Sequence, residues 1–327
     1  MLRSYQYTEK SYLEYTFQNE LFRDKQTEAA RKFVTSHAFH KEPDGICPVC
    51  RQAKGSYFYT KWRVDYLCCP ACKSVFALCD GNIVEEYRRN QEILELRTSE
   101  AYQQQMIADR QDTWKEFMEW VEVRAFRFMG RNRELTLVDF GNRYQGYVDS
   151  IRKSPICGRY DLRDSILLTD TDKVENGEAD IVLYLDQMQQ EPHPEKRIQE
   201  LKMCLKKDGI LILNTRAGSG FDIITLKEKN DRIYPYEHIL LPSVKGLISF
   251  LEESGFEVLE ITTPGVMDVK YVLDSRKKLD DRESFVRYLL DESSQPMLQE
   301  FQRFLQKGCL SSFVCVIAKK KEGREDE

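Results

Sequence analysis

The chain has 327 residues, of which 41% are hydrophobic and 31% are charged, and its formal net charge is -5 at pH 7. This length exceeds one ordinary domain and suits a large domain accompanied by a small one. No run approaches about 18 consecutive apolar residues, so no membrane-spanning helix is predicted. The acidic balance argues against a broad nucleic-acid surface, which needs clustered Lys and Arg.

A helical segment is predicted for the start of the chain, residues 1–43. Leu13, Phe17 and Leu21 recur at four-residue spacing, and neither Pro nor Gly interrupts the stretch from about 8 to 38. The first residues run into charge without an apolar stretch, which is not the pattern of a secretory signal. A cytoplasmic location is therefore expected.

Two Cys-x-x-Cys pairs with 18 residues between them define the next segment, residues 44–82. Such pairs bring four thiolates together around a tetrahedral zinc ion, and the intervening stretch closes as a β-hairpin. A disulfide framework and free thiols are the alternatives, but a reducing cytoplasm favours metal. Cys68 is an adjacent thiol that could compete as a ligand. The predicted structural zinc ligands of this zinc-ribbon module are Cys47, Cys50, Cys69 and Cys72.

Connecting helices are predicted for residues 83–133. One helical face there carries a large apolar stripe, which we interpret as packing against the next domain rather than as a cofactor site. The stripe consists of Trp114, Phe117, Met118, Val121 and Ala125.

Strands and helices then alternate through residues 134–320, a pattern that predicts an α/β domain with a parallel sheet and crossover helices. A helical insertion is expected at about 272–308, and residues 321–327 form a charged tail. Helices are predicted at about 194–206 and after Ser243, which can cap the second. The predicted strands are 135–139, 179–185, 210–214, 256–261 and 312–318.

Several segments of this domain resemble class I S-adenosylmethionine-dependent methyltransferases. They are residues 183–188, 205–212, 218–222, 236–238 and 254–258. With the four-cysteine module before it, the chain is similar to a bacterial subgroup linked to cell-surface carbohydrate or modified-sugar biosynthesis. The resemblance implies a Rossmann-like methyltransferase domain with S-adenosylmethionine as cofactor and a structural zinc ion.

The loop after the first strand of the domain departs from the pattern of that family. The resemblance implies a Gly-x-Gly-x-Gly loop, whose glycines let the backbone approach the cofactor. Here Arg143 and Gln145 stand where glycines are expected, so a plain strand-to-helix turn is the alternative. The implied cofactor-binding residues are Asp139, Gly141, Asn142, Gly146 and Asp161.

The predicted catalytic residues follow the third strand of the domain. His238 is the candidate base, because a carbon or hydroxyl acceptor must lose a proton during methyl transfer. Tyr236 and Glu237 could orient the acceptor, and Asp222 could face its pocket. The alternative for His238 is a capping or packing histidine.

Methyl transfer to a small polar acceptor is the first functional hypothesis, and the resemblance implies a nucleotide-linked sugar or related carbohydrate intermediate. The alternative is a non-catalytic, methyltransferase-like binding or scaffold subunit with a degenerate cofactor loop. A protein partner or a homodimer is left open. A nucleic-acid-binding zinc ribbon is the least favoured hypothesis.

Overall fold

The computed structural model describes residues 2–3, 20–37, 44–141, 145–164, 174–280 and 284–321. The strands are β1 (Leu2–Arg3), β2 (Ser56–Lys61), β3 (Val64–Cys68), β4 (Val75–Ala77), β5 (Leu135–Phe140), β6 (Cys157–Arg163), β7 (Ala179–Leu185), β8 (Leu205–Arg216), β9 (Leu240–Leu241), β10 (Phe256–Thr262) and β11 (Phe313–Lys320). The helices are α1 (Glu20–Ser36), α2 (Gly81–Arg88), α3 (Gln91–Thr98), α4 (Glu100–Met129), α5 (Gln145–Lys153), α6 (Pro194–Cys204), α7 (Phe221–Leu226), α8 (Val244–Glu253), α9 (Asp268–Ser275), α10 (Ser284–Glu292) and α11 (Gln295–Lys307).

A seven-stranded sheet in the order β1-β10-β11-β8-β7-β5-β6 forms the centre of the molecule. Strand β7 is buried along its whole length, which explains its continuous apolar sequence. Parallel pairing joins β6, β5, β7 and β8, whereas β11 runs antiparallel to both β8 and β10. The predicted α/β class is confirmed, and the one reversed strand is a difference from the expected parallel sheet.

Helix α4 packs on the sheet through the predicted apolar stripe. All five stripe residues are buried, and they share one cluster with Leu135 and Leu137 of β5 and with Tyr147 and Val148 of α5. Gly130, in the left-handed conformation (φ 72°), ends the helix. The interpretation of the stripe as packing surface is therefore confirmed.

A second sheet, in the order β2-β3-β4-β9, contains the four-cysteine module. Its last strand comes from the α/β domain, about 160 residues after β4 in the chain. The largest apolar cluster likewise combines Val49, Tyr66 and Val75 of the module with Leu213 and Leu247 of the domain. The module and the domain thus share both a sheet and a core.

Strand β6 and helix α5 were not predicted. The strand sequence, Cys-Gly-Arg-Tyr-Asp-Leu-Arg, has no apolar run, because β6 lies at the edge of the sheet and pairs only with β5 among the described strands. The predicted first helix is described only from Glu20, and residues 322–327 of the tail lie outside the described residues.

Within the described ranges, no helix combines the length and the apolar character needed to cross a bilayer. The longest, α4, carries too many charged side chains.

Candidate metal centre and candidate active site

The four predicted ligand sulfurs lie together. The Sγ atoms of Cys47 and Cys72 are 3.6 Å apart, those of Cys50 and Cys69 are 3.5 Å apart, and all four lie within 4.8 Å of one another. Zinc–thiolate bonds of 2.3 Å in a tetrahedron imply sulfur–sulfur distances of about 3.8 Å. All ten cysteines are free thiols. The cluster therefore fits a four-thiolate zinc site and shows no disulfide framework.

The two Cys-x-x-Cys knuckles have the same local structure. The carbonyl of Cys47 accepts a hydrogen bond from the amide of Arg51, and the carbonyl of Cys69 accepts one from the amide of Lys73, both at 2.9 Å. Arg51 (φ 55°) and Lys73 (φ 64°) both adopt the left-handed conformation. One turn type, used twice, thus presents both pairs of thiols.

Thiolate character is concentrated on Cys72. A hydrogen bond from the Cys47 thiol lowers the pKa of Cys72 to about 4, and Ser74, whose Oγ lies 3.2 Å from the Cys72 sulfur, contributes in the same direction. The same shared proton raises the pKa of Cys47. Because thiolates are the metal-binding form of cysteine, the cluster is prepared for a cation.

A cavity of about 270 Å³ opens at the carboxyl ends of β5, β6 and β7. The chain leaves β5 toward β6 on one side, while β7 and β8 lie on the other side, so the sheet changes direction between β5 and β7. Ligands of doubly wound sheets bind at such a switch point. The cavity is lined by Glu85, Arg88, Arg89, Phe140, Gly141, Asp164, Tyr184, Gln187, Glu191 and Arg197.

The floor of this cavity is Gly141, directly after β5. Its φ of 129° is rare for other residues, and a Cβ there would lie 2.5 Å from the side chain of Gln187. Across the cavity, Asp164 follows β6 and forms an ion pair with Arg197 at 2.6 Å. The guanidinium of Arg197 also lies 5.6 Å from the Phe140 ring centroid.

Tyr184 on β7 brings a buried donor to the same cavity. Its hydroxyl has no hydrogen-bond partner among the described residues, although the side chain is almost fully buried. Burial raises the pKa of Tyr184 well above its usual value, so the hydroxyl keeps its proton. An unpartnered buried hydroxyl is costly in a folded protein, and Tyr184 is among the residues that line the cavity.

The predicted cofactor residues do not all lie at this cavity. Among those that the structure describes, only Gly141 lines it, whereas the buried Asp139 accepts a hydrogen bond from Tyr160 at 2.9 Å. Asp161 accepts from the amide of Val174, and Gly146 lies against Ile107 and Trp114 of α4. Asn142, Arg143 and the next residue lie outside the described residues. The cofactor roles of these residues stay predictions.

His238 is buried and neutral. Burial, followed by the positive charge of Arg216, lowers its pKa well below 6.5. Its Nδ1 lies 3.0 Å from the amide nitrogen of Tyr234 and 3.3 Å from the carbonyl oxygen of the same residue. The shorter contact makes Nδ1 an acceptor and leaves the proton on Nε2. Taking a proton from an acceptor would then require the other tautomer, in which Nδ1 donates to the carbonyl.

Glu237 holds three N-terminal helices. Its carboxylate accepts hydrogen bonds from Gln26 of α1 at 3.2 Å and Tyr87 of α2 at 2.8 Å, and it forms an ion pair with Arg97 of α3. Tyr236, in the left-handed conformation (φ 69°), packs against Tyr87 with ring centroids 6.2 Å apart. These contacts hold both residues in place within the fold. Their catalytic role stays a prediction.

Asp222 is fully buried near the end of β8. Burial, together with the neighbouring Asp268, raises its pKa to about 6. Its Oδ2 accepts a hydrogen bond from Asn230 at 2.9 Å. The guanidinium of Arg216 acts electrostatically on both Asp222 and His238, so these two predicted residues belong to one neighbourhood.

Sequence reasoning missed several side chains of the two sites. Arg197 of the cavity, and Lys61 and Arg216 beside His238, carry no motif. Gln187 lies in segment 183–188, which resembles methyltransferases, but it was not predicted as a site residue. Gln187 and Arg216 also share a positional signal, since they lie at the carboxyl ends of β7 and β8. Gln189 connects Arg216 to the residue after His238, because its side chain accepts from the amide of Arg216 at 3.2 Å and its carbonyl accepts from the amide of Ile239 at 2.7 Å.

No protein-family model and no curated protein sequence matches the chain. Solved structures with a related shape include Haemonchus contortus phosphoethanolamine N-methyltransferase 2 in complex with phosphomonomethylethanolamine and S-adenosylhomocysteine. That match has 15% identity and a TM-score of 0.39, and covers 60% of this chain and 51% of the other. The chain thus spans about half the length of that relative.

Two further structures show the range of these similarities. One is the Haloferax volcanii Trm112 methyltransferase activator in complex with a candidate methyltransferase, at 13% identity and a TM-score of 0.43, covering 70% of this chain and 98% of the matched chain. The other is the [4+2]-cyclase SpnF, at 12% identity and a TM-score of 0.38, covering 65% and 83%. Similarities this distant assign no reaction to the chain.

Proposed function

We propose that the chain is an S-adenosylmethionine-dependent methyltransferase whose cofactor occupies the cavity between β5 and β7. The observation that carries this proposal is the coincidence of Gly141, Asp164 and the unpartnered Tyr184 hydroxyl at the switch point of the sheet. Of the segments that resemble methyltransferases, residues 183–188 contribute Tyr184 and Gln187 to the lining of this cavity.

The residues at the cavity suit the parts of this cofactor. The missing Cβ of Gly141 leaves room for the side chain of Gln187 at the cavity wall, Asp164 would accept hydrogen bonds from ribose hydroxyls, and Tyr184 would donate one. Bound S-adenosylmethionine supplies a methyl group activated by its sulfonium. The chain has to hold the acceptor in line with that methyl group and to exclude water.

The acceptor would lie beside His238, near Asp222 and Arg216. His238, as the Nε2–H tautomer, would donate a hydrogen bond to the acceptor, and as the other tautomer it would accept the proton of an acceptor hydroxyl or carbon acid. The raised pKa of Asp222 keeps this carboxyl partly protonated near pH 6.

The narrower hypothesis is a nucleotide-linked sugar as acceptor. The positive charges of Lys61 and Arg216 act on His238 from nearby, and cations suit an acceptor that carries phosphate. A screen that follows the labelled methyl group would test this. Transfer to nucleoside-diphosphate sugars but not to free sugars supports it, and transfer only to uncharged acceptors contradicts it.

Calorimetric titration of the zinc-loaded protein with S-adenosylhomocysteine tests the cofactor site. We expect micromolar binding, about -8 kcal/mol, and about tenfold weaker binding by Asp164→Asn. Asp291→Asn is the matched control, because Asp291 also forms a half-exposed ion pair, with Arg276 at 2.8 Å. Its affinity should equal that of the wild type.

Failure of the folded wild-type protein to bind would overturn the cofactor assignment. That outcome would favour the non-catalytic subunit, with the loop at Arg143 and Gln145 excluding the cofactor. Equal loss in Asp164→Asn and Asp291→Asn would instead show that the effect is general to surface charge and not specific to the cavity.

A further inference from the structure

Strand β9 connects the four-cysteine module, called the metal module below, to the predicted catalytic residues. It begins two residues after His238, yet it pairs with β4, with Phe76 opposite Leu240 and Val75 opposite Leu241. We call residues 234–243 the site segment. Two of its ten residues, Leu240 and Leu241, are therefore part of the sheet of the metal module.

Two further hydrogen bonds from the module act on the backbone beside the imidazole. The hydroxyl of Tyr66 donates to the carbonyl of His238 at 3.0 Å, and the amide of Ala77 donates to the carbonyl of Ile239 at 2.8 Å. Residues 238–241 are thus fixed one after another by β3 and β4, the strands on either side of the ligands Cys69 and Cys72.

A serine pair completes the connection at the metal ligand itself. The hydroxyl of Ser243 donates to the carbonyl of Cys72 and accepts from the amide of Gly246 at 2.8 Å, which caps α8. The amide of Ser243 donates to Oγ of Ser74 at 3.0 Å, and that oxygen lies 3.2 Å from Sγ of Cys72. When Cys72 is a thiolate, the Ser74 hydroxyl donates to the sulfur.

We infer that metal binding by the four cysteines orders the site segment, with Ser74 and Ser243 as positioning residues between the metal ligand and the segment. Small four-thiolate modules derive their folding free energy from the metal. Without it, the turn from Cys69 to Ser74 loses its constraint, and β4 no longer provides a fixed edge for β9. The inference concerns the position of the segment and holds whichever reaction the segment serves.

Hydrogen–deuterium exchange of the full chain, with zinc and after chelation, tests this inference. We expect amides of residues 239–243 to lose at least tenfold protection on chelation, together with residues 44–77. Amides of β7 and β8, which do not pair with strands of the metal module, should lose less protection. Unchanged protection of residues 239–243 while residues 44–77 become exposed would overturn the inference.

Serine variants separate positioning from simple stability. Ser243→Ala should weaken zinc affinity by about 10- to 100-fold, as loss of outer-shell partners does, and should raise exchange in the site segment of the zinc-loaded protein. Ser99→Ala is the matched control, because Ser99 also caps a helix, through the amide of Tyr102 at 3.4 Å, but does not contact the module. It should leave zinc affinity unchanged.

Ser74→Ala provides a second variant that spares the cap of α8. It should weaken zinc affinity and raise exchange at residues 239–243 in the same direction as Ser243→Ala. Wild-type values for both readouts in Ser74→Ala, or equal effects of Ser99→Ala and Ser243→Ala, would contradict the proposed link.

Discussion

Cys68 and Cys69 are neighbours in the chain, but only Cys69 contributes to the four-sulfur cluster. Successive side chains of an extended segment point to opposite sides, and β3 ends at Cys68. The Cys68 thiol instead donates a hydrogen bond to the carbonyl of Cys69 at 4.0 Å.

Substitution of these two adjacent cysteines should therefore have different effects on zinc binding. Cys69→Ser should lower zinc affinity by more than about 100-fold, because even outer-shell losses cost about 10- to 100-fold, while Cys68→Ser should keep the wild-type zinc content. Competition with a chromophoric chelator measures both. Loss of zinc from Cys68→Ser would contradict the assigned ligand set.

His238 makes a separate prediction about pH. In the unfolded chain it takes up a proton below pH 6.5, whereas burial keeps the folded side chain neutral. The free energy of unfolding should therefore fall by about 1 kcal/mol between pH 7.5 and 5.5 because of this residue. His238→Asn, which retains an acceptor near Nδ1, should lack that loss.

Denaturant unfolding of the two proteins at both pH values measures the difference. The same pH dependence in the wild type and in His238→Asn would mean that folded His238 titrates like an exposed histidine. Its burial would then not control its protonation.

Among the structural elements, the turn after β5 combines backbone strain with the cavity. Gly141 and Gly177 both have positive φ angles, 129° and 83°, but a Cβ at Gly177 would meet no atom within 4 Å. An alanine at either position bears the left-handed backbone cost, roughly 1–2 kcal/mol. Only at Gly141 would it also displace Gln187 into the cavity.

We therefore expect both variants to lose stability, Gly141→Ala more than Gly177→Ala because of the contact with Gln187. Only Gly141→Ala should lower the affinity for S-adenosylhomocysteine, by more than tenfold. Thermal unfolding and calorimetry provide the two readouts. Equal affinities in both variants would show that the turn does not contact the ligand.

Secondary-structure elements could be predicted from the sequence where their burial follows a regular pattern, on both faces or on one. Strand β7 is buried on both faces and reads as an apolar run, and the stripe of α4 follows helical periodicity because one face packs on the sheet. Strand β6 could not be predicted, because the carboxylate of Asp161 is accommodated by the amide of Val174, a tertiary contact with no local signal.

Dependence on tertiary contacts also limited the prediction of the sites. The spacing of the four ligand cysteines is a recognisable motif, so the sequence predicts the complete cluster. Asp164 and Arg197 approach each other from β6 and α6, about 30 residues apart, and Tyr184 reads as one more apolar strand residue. Which of these residues could contact a ligand depends on the order of the strands in the sheet. That order cannot be predicted from any single segment of the sequence.

At the scale of the whole molecule, one apolar cluster runs from the metal module through the α/β domain. Val49 and Val75 of the module are buried in it with Leu241 and Leu247 of the domain. Because neither part buries its apolar surface alone, the two should unfold together.

Scanning calorimetry of the zinc-loaded protein should show a single transition, and chelation should shift that transition to lower temperature. The physical reason is linkage, since a metal that binds only the folded state stabilises everything that folds with it. Two separate transitions, with only the first sensitive to chelation, would contradict the shared core.

The position of β11 has a consequence for how the protein is made. Residues 313–320 fill the gap between β8 and β10, which come earlier in the chain. While the ribosome is still adding the last of these residues, β8 has an unpaired apolar edge, and such edges pair readily with other chains. The time between the synthesis of β8 and the insertion of β11 is thus a period of aggregation risk.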